Sequence, residues 1–169
     1  MADVFKEQLI KRSVTNKDRL AQVGIITGVV LVIVVTVNIV PQLALVITAA
    51  VGFVAYIFIG RLKKEYEYIF TNGELDIDVI YNRSSRKRVF SGNVRDFELM
   101  AHIDDPNHKN SFATAKEKRD YSAGIPSERS YSFLTNYNGK RTAIIIEPND
   151  EILNVISKAL TMRKFYPKK

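Results

Sequence analysis

LAQVGIITGVVLVIVVTVNIVPQLALVITAAVGFVAYIFIG, from Leu20 to Gly60, runs for 41 residues without an Asp, Glu, Lys, Arg or His. Charged residues make up 25% of the chain, so a stretch of this length at the average composition would hold roughly ten. A charge at the centre of a membrane helix costs about 2.5 to 3.5 kcal/mol, and a bilayer therefore selects for their absence. A hydrocarbon core about 30 Å thick takes about 20 apolar residues per helical crossing, so this stretch is too long for one span and right for two. The reversal falls in NIVPQ, where Asn38, Pro41 and Gln42 are the only cluster of polar or helix-disfavouring residues near the middle. The segment predicts a tight transmembrane helical hairpin, Leu20 to Val37 and Leu43 to Gly60, with the lipid bilayer as its first partner.

The flanks orient it. Lys6, Lys11, Arg12, Lys17 and Arg19 precede the first span, Arg61, Lys63 and Lys64 follow the second, and the connecting turn has no cation. The positive-inside rule places both termini in the cytoplasm of a plasma membrane crossed twice, with Arg61, Lys63 and Lys64 at the lipid boundary. A secretory signal peptide does not fit, because its apolar region is about 7 to 15 residues and ends in a cleavage site. In the leader, residues 1–19, DVFKEQLIKR sets Val4, Phe5, Leu9 and Ile10 among charges. That pattern suits a short interfacial helix on the inner leaflet or a solvated tail.

Within the spans Gly24 and Gly28 make a G-x-x-x-G step, and Ala44, Thr48 and Gly52 repeat small residues at the same spacing. Small residues let helix backbones approach closely in lipid, either within one hairpin or between copies in a homo-oligomer. Neither span holds an ionisable group, so a proton relay or ion pathway has no carrier. The formal net charge of +7 is dispersed, with +2 before the hairpin and +5 after it, which argues against nucleic acid as a partner. The absence of cysteine excludes disulfides, thiol catalysis and thiolate metal sites.

After the membrane the period changes from helix to strand. In EYEYIF, Tyr66, Tyr68 and Phe70 alternate with Glu65 and Glu67; Asn72-Gly73 is a two-residue hairpin turn; Leu75, Ile77 and Val79 then alternate with Asp76 and Asp78. One face of this hairpin is apolar, and the other opposes Glu67 to Asp78, a repulsive pair. A third strand, RKRVF, relieves the repulsion if Val89 points inward and Arg86 and Arg88 cover the acids. VRDFELMAHI, 94–103, reads as a fourth strand with Phe97, Leu99 and Ala101 on one side. A second hairpin, 129–137 and 140–147, turns at Asn138-Gly139 and buries its AIII run. Asn149 then starts a helix with Ile152, Val155, Ile156, Ala159 and Leu160 on one stripe, ending in Arg163 and Lys164 before a fraying tail, FYPKK.

Antiparallel strands closed by an amphipathic C-terminal helix follow the order of pleckstrin-homology-like (PH-like) domains. The chain resembles an uncharacterised family of bacterial membrane proteins that share stretches similar to DVFKEQLIKR and EYEYIFTNGELDID, with a two-span hairpin ahead of a PH-like domain. The resemblance implies an α+β fold: a transmembrane helical hairpin, 20–60, and a cytoplasmic antiparallel PH-like β-barrel or sandwich, 61–169, with a C-terminal helix. It implies location and no reaction. The turn TNGE lacks the cations that would cradle an inositol phosphate.

Chemistry has few other places to stand. The polar stretch 104–128 has no strand pattern, AKEKR within it suits one helical turn, and a loop this long is functional or disordered. His102, Asp104, Asp105 and His108 are the only metal-ligand types in one cluster, and Asp-Asp-Pro-Asn is equally turn chemistry. A solvated loop is the favoured reading, with no metal and no cofactor. Arg83, Arg86, Lys87 and Arg88, joined by Lys109, Lys116, Lys118 and Arg119, suit anionic lipid headgroups, each such cation contributing about 1 kcal/mol near a membrane surface. No nucleotide loop, zinc-protease, serine-hydrolase or EF-hand motif is present. The expected role is a membrane-anchored, non-enzymatic interaction or scaffolding module at the cytoplasmic face, with an unidentified protein partner. The alternative is an accessory subunit of a membrane complex bound through the hairpin, and a third reading is an enzyme using the 102–108 loop.

Overall fold

The computed structural model describes residues 4–160 and 164–168. Two units are present: a sheet unit, comprising the chain up to Ser13, Glu65–Ile80 and the chain from Arg86 onward, and a hairpin unit, Val14–Lys64 with Tyr81–Ser85.

In the sheet unit, β1 (Phe5–Lys11), β2 (Lys64–Thr71), β3 (Glu74–Tyr81) and β4 (Ser85–Asn93) form one four-stranded sheet in chain order. The leader is thus a strand in the sheet and not an interfacial helix or a solvated tail: Phe5 pairs with Thr71 and Lys11 with Glu65, antiparallel. Its alternation supports this, since Ile10 is buried while Phe5 and Leu9 stay outside. Gln8 fixes it further, donating from Nε2 to the Glu147 carbonyl (3.0 Å) and accepting from the Asn149 N–H (2.6 Å).

The second sheet holds β5 (Leu99–His102), β6 (Glu117–Asp120), β7 (Tyr131–Tyr137), β8 (Lys140–Ile146) and β9 (Phe165–Tyr166) in the order β6-β8-β7-β5-β9. β7–β8 and β5–β7 are antiparallel, whereas β6–β8 and β5–β9 are parallel. Helices α3 (Lys109–Ala113) and α4 (Asp150–Ala159) complete the unit. Both Asn-Gly turns have positive φ at both residues, 50° and 99° at Asn72-Gly73 and 51° and 73° at Asn138-Gly139, as the twist of a two-residue hairpin requires.

Four expectations change here. Val89 is only half-buried and Phe90 takes the core position. The strand expected over 94–103 begins only at Leu99, because Val94–Asp96 form a 3-10 turn started by the Asn93 side chain. AKEKR supplies β6 instead of a helical turn. The C-terminal FY forms β9, with Phe165 stacked on Tyr131 at 6.0 Å; Arg163 lies outside the described residues. The core joins the two sheets through Phe90, Phe97 and Phe133, with Phe97 and Phe133 stacked at 4.1 Å. α4 closes it with buried Ile152, Ile156 and Leu160, and the Asn149 side chain caps its N-terminus through the Ile152 N–H (2.8 Å).

The hairpin unit holds α1 (Asn16–Ile39) and α2 (Ala44–Leu62), separated by Val40 and a 3-10 turn at Pro41–Leu43. α1 runs beyond its expected span at both ends, whereas α2 starts one residue later and ends two residues later than expected. α1 starts at a capping box in which Thr15 and Asp18 exchange bonds. Its polar groups turn back on its own backbone, Thr36 Oγ1 to the Val32 carbonyl (2.7 Å) and Asn38 Nδ2 to the Val34 carbonyl (2.8 Å). Both helices are long and apolar enough to cross a membrane, and almost none of that surface is buried within the chain. Shielded positions follow one stripe on each helix: Ile25, Val29, Ile33 and Thr36 on α1, and Ala44, Ile47, Thr48, Val51 and Ala55 on α2. Ala44 and Thr48 lie on that stripe. Gly24, Gly28 and Gly52 do not, since a Cβ added at any of them meets nothing within 4 Å. These glycines are not where α1 and α2 touch, because the shielded stripe is offset from them.

Candidate functional site

The hairpin unit gathers cations from two distant parts of the sequence. Asn82 and Arg83, at the tip between β3 and β4, both adopt the left-handed conformation (φ 48° and 56°), closing a turn with a Ser84 N–H to Tyr81 carbonyl bond of 3.0 Å. The turn sits on the end of α2, where the Asn82 N–H donates to the Lys63 carbonyl at 3.1 Å. Gly60 makes the approach possible: a Cβ there would come within 3.3 Å of Asn82 Nδ2, tighter than ordinary contact. Lys64 Nζ lies 5.7 Å from the Tyr81 ring centroid, a cation–π distance. Arg61, Lys63, Lys64 and Arg83 thereby share one end of this unit. Arg61 also occupies the last turn of α2, where the helix dipole favours a cation. Sequence reasoning had the cations but missed Gly60 and Asn82, whose contact joins them; the only local signal was YNRS, an ordinary turn sequence.

Arg86 and Arg88, on β4 in the sheet unit, are occupied differently. Arg86 Nη2 lies 2.5 Å from Glu67 Oε2; Arg88 reaches Asp78 through Nε (2.5 Å) and Asp76 through Nη1 (2.6 Å). The acids are cross-strand partners, as the repulsion between Glu67 and Asp78 required. Both are buried, with residue exposures of 4% and 3%. Burial pushes the Glu67 carboxyl above the usual range; a hydrogen bond with Glu7 adds to the rise and Arg86 opposes it. Two arginines face three carboxylates, so this patch has no surplus positive charge. Lys87 stands exposed between them. Arg119 is likewise engaged, by Glu117 at 3.1 Å and by the Tyr137 ring at 5.0 Å.

The 102–108 segment lines a cleft of about 600 Å³ together with Tyr166 and Pro167. His102 is buried and both ring nitrogens have partners: Nδ1 accepts the Asp104 N–H (3.2 Å) and Nε2 lies 3.1 Å from the Glu128 carbonyl, which fixes the proton on Nε2. His108 Nδ1 pairs with Asp105 at 2.7 Å, and its ring lies over Tyr166 with centroids 3.8 Å apart. The two histidines therefore hold a turn and the C-terminal strand. Among the described residues no group of three metal-ligand side chains converges.

A family model described as Bacterial PH-like domain (DUF6106) matches residues 2–166, taking in β1, the hairpin and both sheets. No curated protein and no solved structure matches the chain.

Proposed function

We propose that this chain, which belongs to the family of bacterial PH-like domains, works as a non-enzymatic interaction module that its helical hairpin holds at the cytoplasmic face of the plasma membrane. The observation that carries this reading is the apolar surface of α1 and α2. Two long helices without a charge from Leu20 to Gly60, and almost unburied, present far more contiguous apolar surface than water tolerates, and a bilayer is the solvent that covers it. The cations at both outer ends of the hairpin favour cytoplasmic termini. Cysteines introduced at Ser13 and Ser157 should resist a membrane-impermeant thiol reagent in intact cells and react after lysis. Labelling of either in sealed cells overturns the orientation.

Contact with anionic headgroups belongs to this proposal. Arg86 and Arg88 already face acids, so the contact rests on Arg61, Lys63, Lys64 and Lys87. Because β1 is part of the sheet, the isolated segment 61–169 would lack a strand, and the test needs the full chain in lipid nanodiscs. Amide hydrogen exchange over 81–88 should slow when anionic lipid replaces zwitterionic lipid, and high salt should erase the difference as the screening length falls to about 3 Å. Exchange that ignores lipid charge, or a four-site glutamine variant that still responds to it, removes lipid contact from the reading.

The open glycine faces favour a second reading, an accessory subunit or homo-oligomer docked through the hairpin. Crosslinking with mass spectrometry in native membranes separates partners reached by the helices from partners reached by the sheets.

A further inference from the structure

Ile125 is an exposed aliphatic side chain, 60% accessible, at the tip of a loop that the sheet unit holds through several hydrogen bonds. One carboxylate braces both shoulders of the tip. Glu147 Oε2 accepts the Ala123 N–H at 3.2 Å, and its Oε1 accepts the Ser127 hydroxyl in a short hydrogen bond. Further bonds stiffen the flanks: Gly124 N–H to Ser122 Oγ (3.1 Å), Ser122 N–H to Asp120 (2.9 Å) and Ser127 N–H to Ser130 Oγ (2.9 Å). Gly124 takes a positive φ of 83° to make the bend. These bonds hold the tip in one conformation with the isoleucine side chain outward.

The neighbours say what it contacts. Ala123 accepts the Ser13 N–H at 2.8 Å, and Arg12 lies against Gly124, within 3.7 Å of where a Cβ would stand. Ser13 precedes the first residue of α1, Asn16, by three residues, a span of at most about 10 Å. The tip is therefore tethered beside the point where the chain leaves for its first apolar helix, with the Arg12 side chain, which also hydrogen-bonds Tyr66, next to it. The other exposed large apolar side chains described in the sheet unit, Val4, Phe5 and Leu9, lie on or just before β1. A protein interface needs a contiguous patch of several hundred Å² on each partner, which one isoleucine does not supply. A bilayer needs no such patch: an aliphatic tip among headgroups with an adjacent cation is interfacial chemistry.

We infer that the Ala123–Pro126 loop inserts Ile125 into the headgroup region of the bilayer, a contact additional to the hairpin and its flanking cations. This rests on the membrane-anchored reading, so the experiment must test both apart. The chain has no cysteine, which permits single-cysteine variants of the full-length protein: Ile125→Cys, Phe53→Cys in α2 and Glu74→Cys at the start of β3. Each is labelled with an environment-sensitive nitrobenzoxadiazole dye and reconstituted into phosphatidylcholine–phosphatidylglycerol vesicles carrying a nitroxide either on the headgroup or deep on the acyl chain. The dye at 53 should lose emission to the acyl-chain quencher, the dye at 125 to the headgroup quencher, and the dye at 74 to neither. If 53 is quenched but 125 behaves like 74, the loop inference is wrong and the anchor stands. If 53 is not quenched either, the anchor is wrong and the inference falls with it.

Discussion

Phe133→Ala should lower the stability of the sheet unit by about 3 to 5 kcal/mol, the range for truncating a fully buried aromatic. At roughly 4 to 8 °C per kcal/mol for a domain of about 100 residues, the midpoint of thermal unfolding should fall by more than about 10 °C. Phe133 is inaccessible, stacks on Phe97 at 4.1 Å and meets the edge of Phe90 at 5.4 Å. It sits on β7, between β8 and β5, and its ring links the second sheet to β4. The chain has eight tyrosines and no tryptophan, so the near-ultraviolet tyrosine signal of the full-length protein in detergent reports this unit, with only Tyr56 and Tyr81 in the hairpin unit. Phe133→Leu, which keeps most of the volume, should recover a large part of the loss. An alanine variant that melts within about 2 °C of the parent would show that the three phenylalanines do not form the joint between the sheets.

What the sequence disclosed and what it hid divide by range of interaction. Both Asn-Gly turns, the AIII strand and the stripe of α4 are local patterns, readable in windows of ten residues or so. The ion pairs of Arg86 and Arg88 were legible because Glu67 and Asp78 could not oppose each other alone. β1 was hidden because FKEQLIK is too short to separate a helical from a strand period, and its partner β2 begins beyond the whole hairpin. β6 was hidden for another reason: EKRD has no apolar alternation, and its strand geometry comes from parallel pairing with Thr142–Ile145 on β8. β9 contains two residues and depends on β5 for its ladder. At the hairpin end, composition gave the cations, but the contact of Asn82 with Gly60 that brings Arg83 to Lys63 spans 22 positions and leaves no mark in either local sequence. The G-x-x-x-G spacing is silent about which face meets the neighbouring helix, and the shielded stripe of α1 is offset from Gly24 and Gly28.

The second large effect lies in the hairpin. Val30→Lys should reduce insertion of α1, because a lysine near the centre of a spanning helix costs about 2.5 to 3.5 kcal/mol. That cost corresponds to about a hundredfold change in the insertion equilibrium. Val30 is suited to the test: it lies near the middle of α1 and is 53% exposed, so it faces what surrounds the hairpin and not α2. A lysine near either end would extend its ammonium to the interface and escape most of the cost; at the centre it has the farthest to reach. The measurement is the inserted fraction of α1, read from protection of a reporter in the short α1–α2 turn, with Val30→Leu as the control that keeps the surface apolar. Equal insertion of the lysine and leucine variants would mean that the exposed face of α1 does not meet hydrocarbon. The headgroup contacts assigned to Arg61, Lys63, Lys64 and Lys87 would then lose their basis, since only lipid around α1 and α2 brings those cations to a headgroup layer.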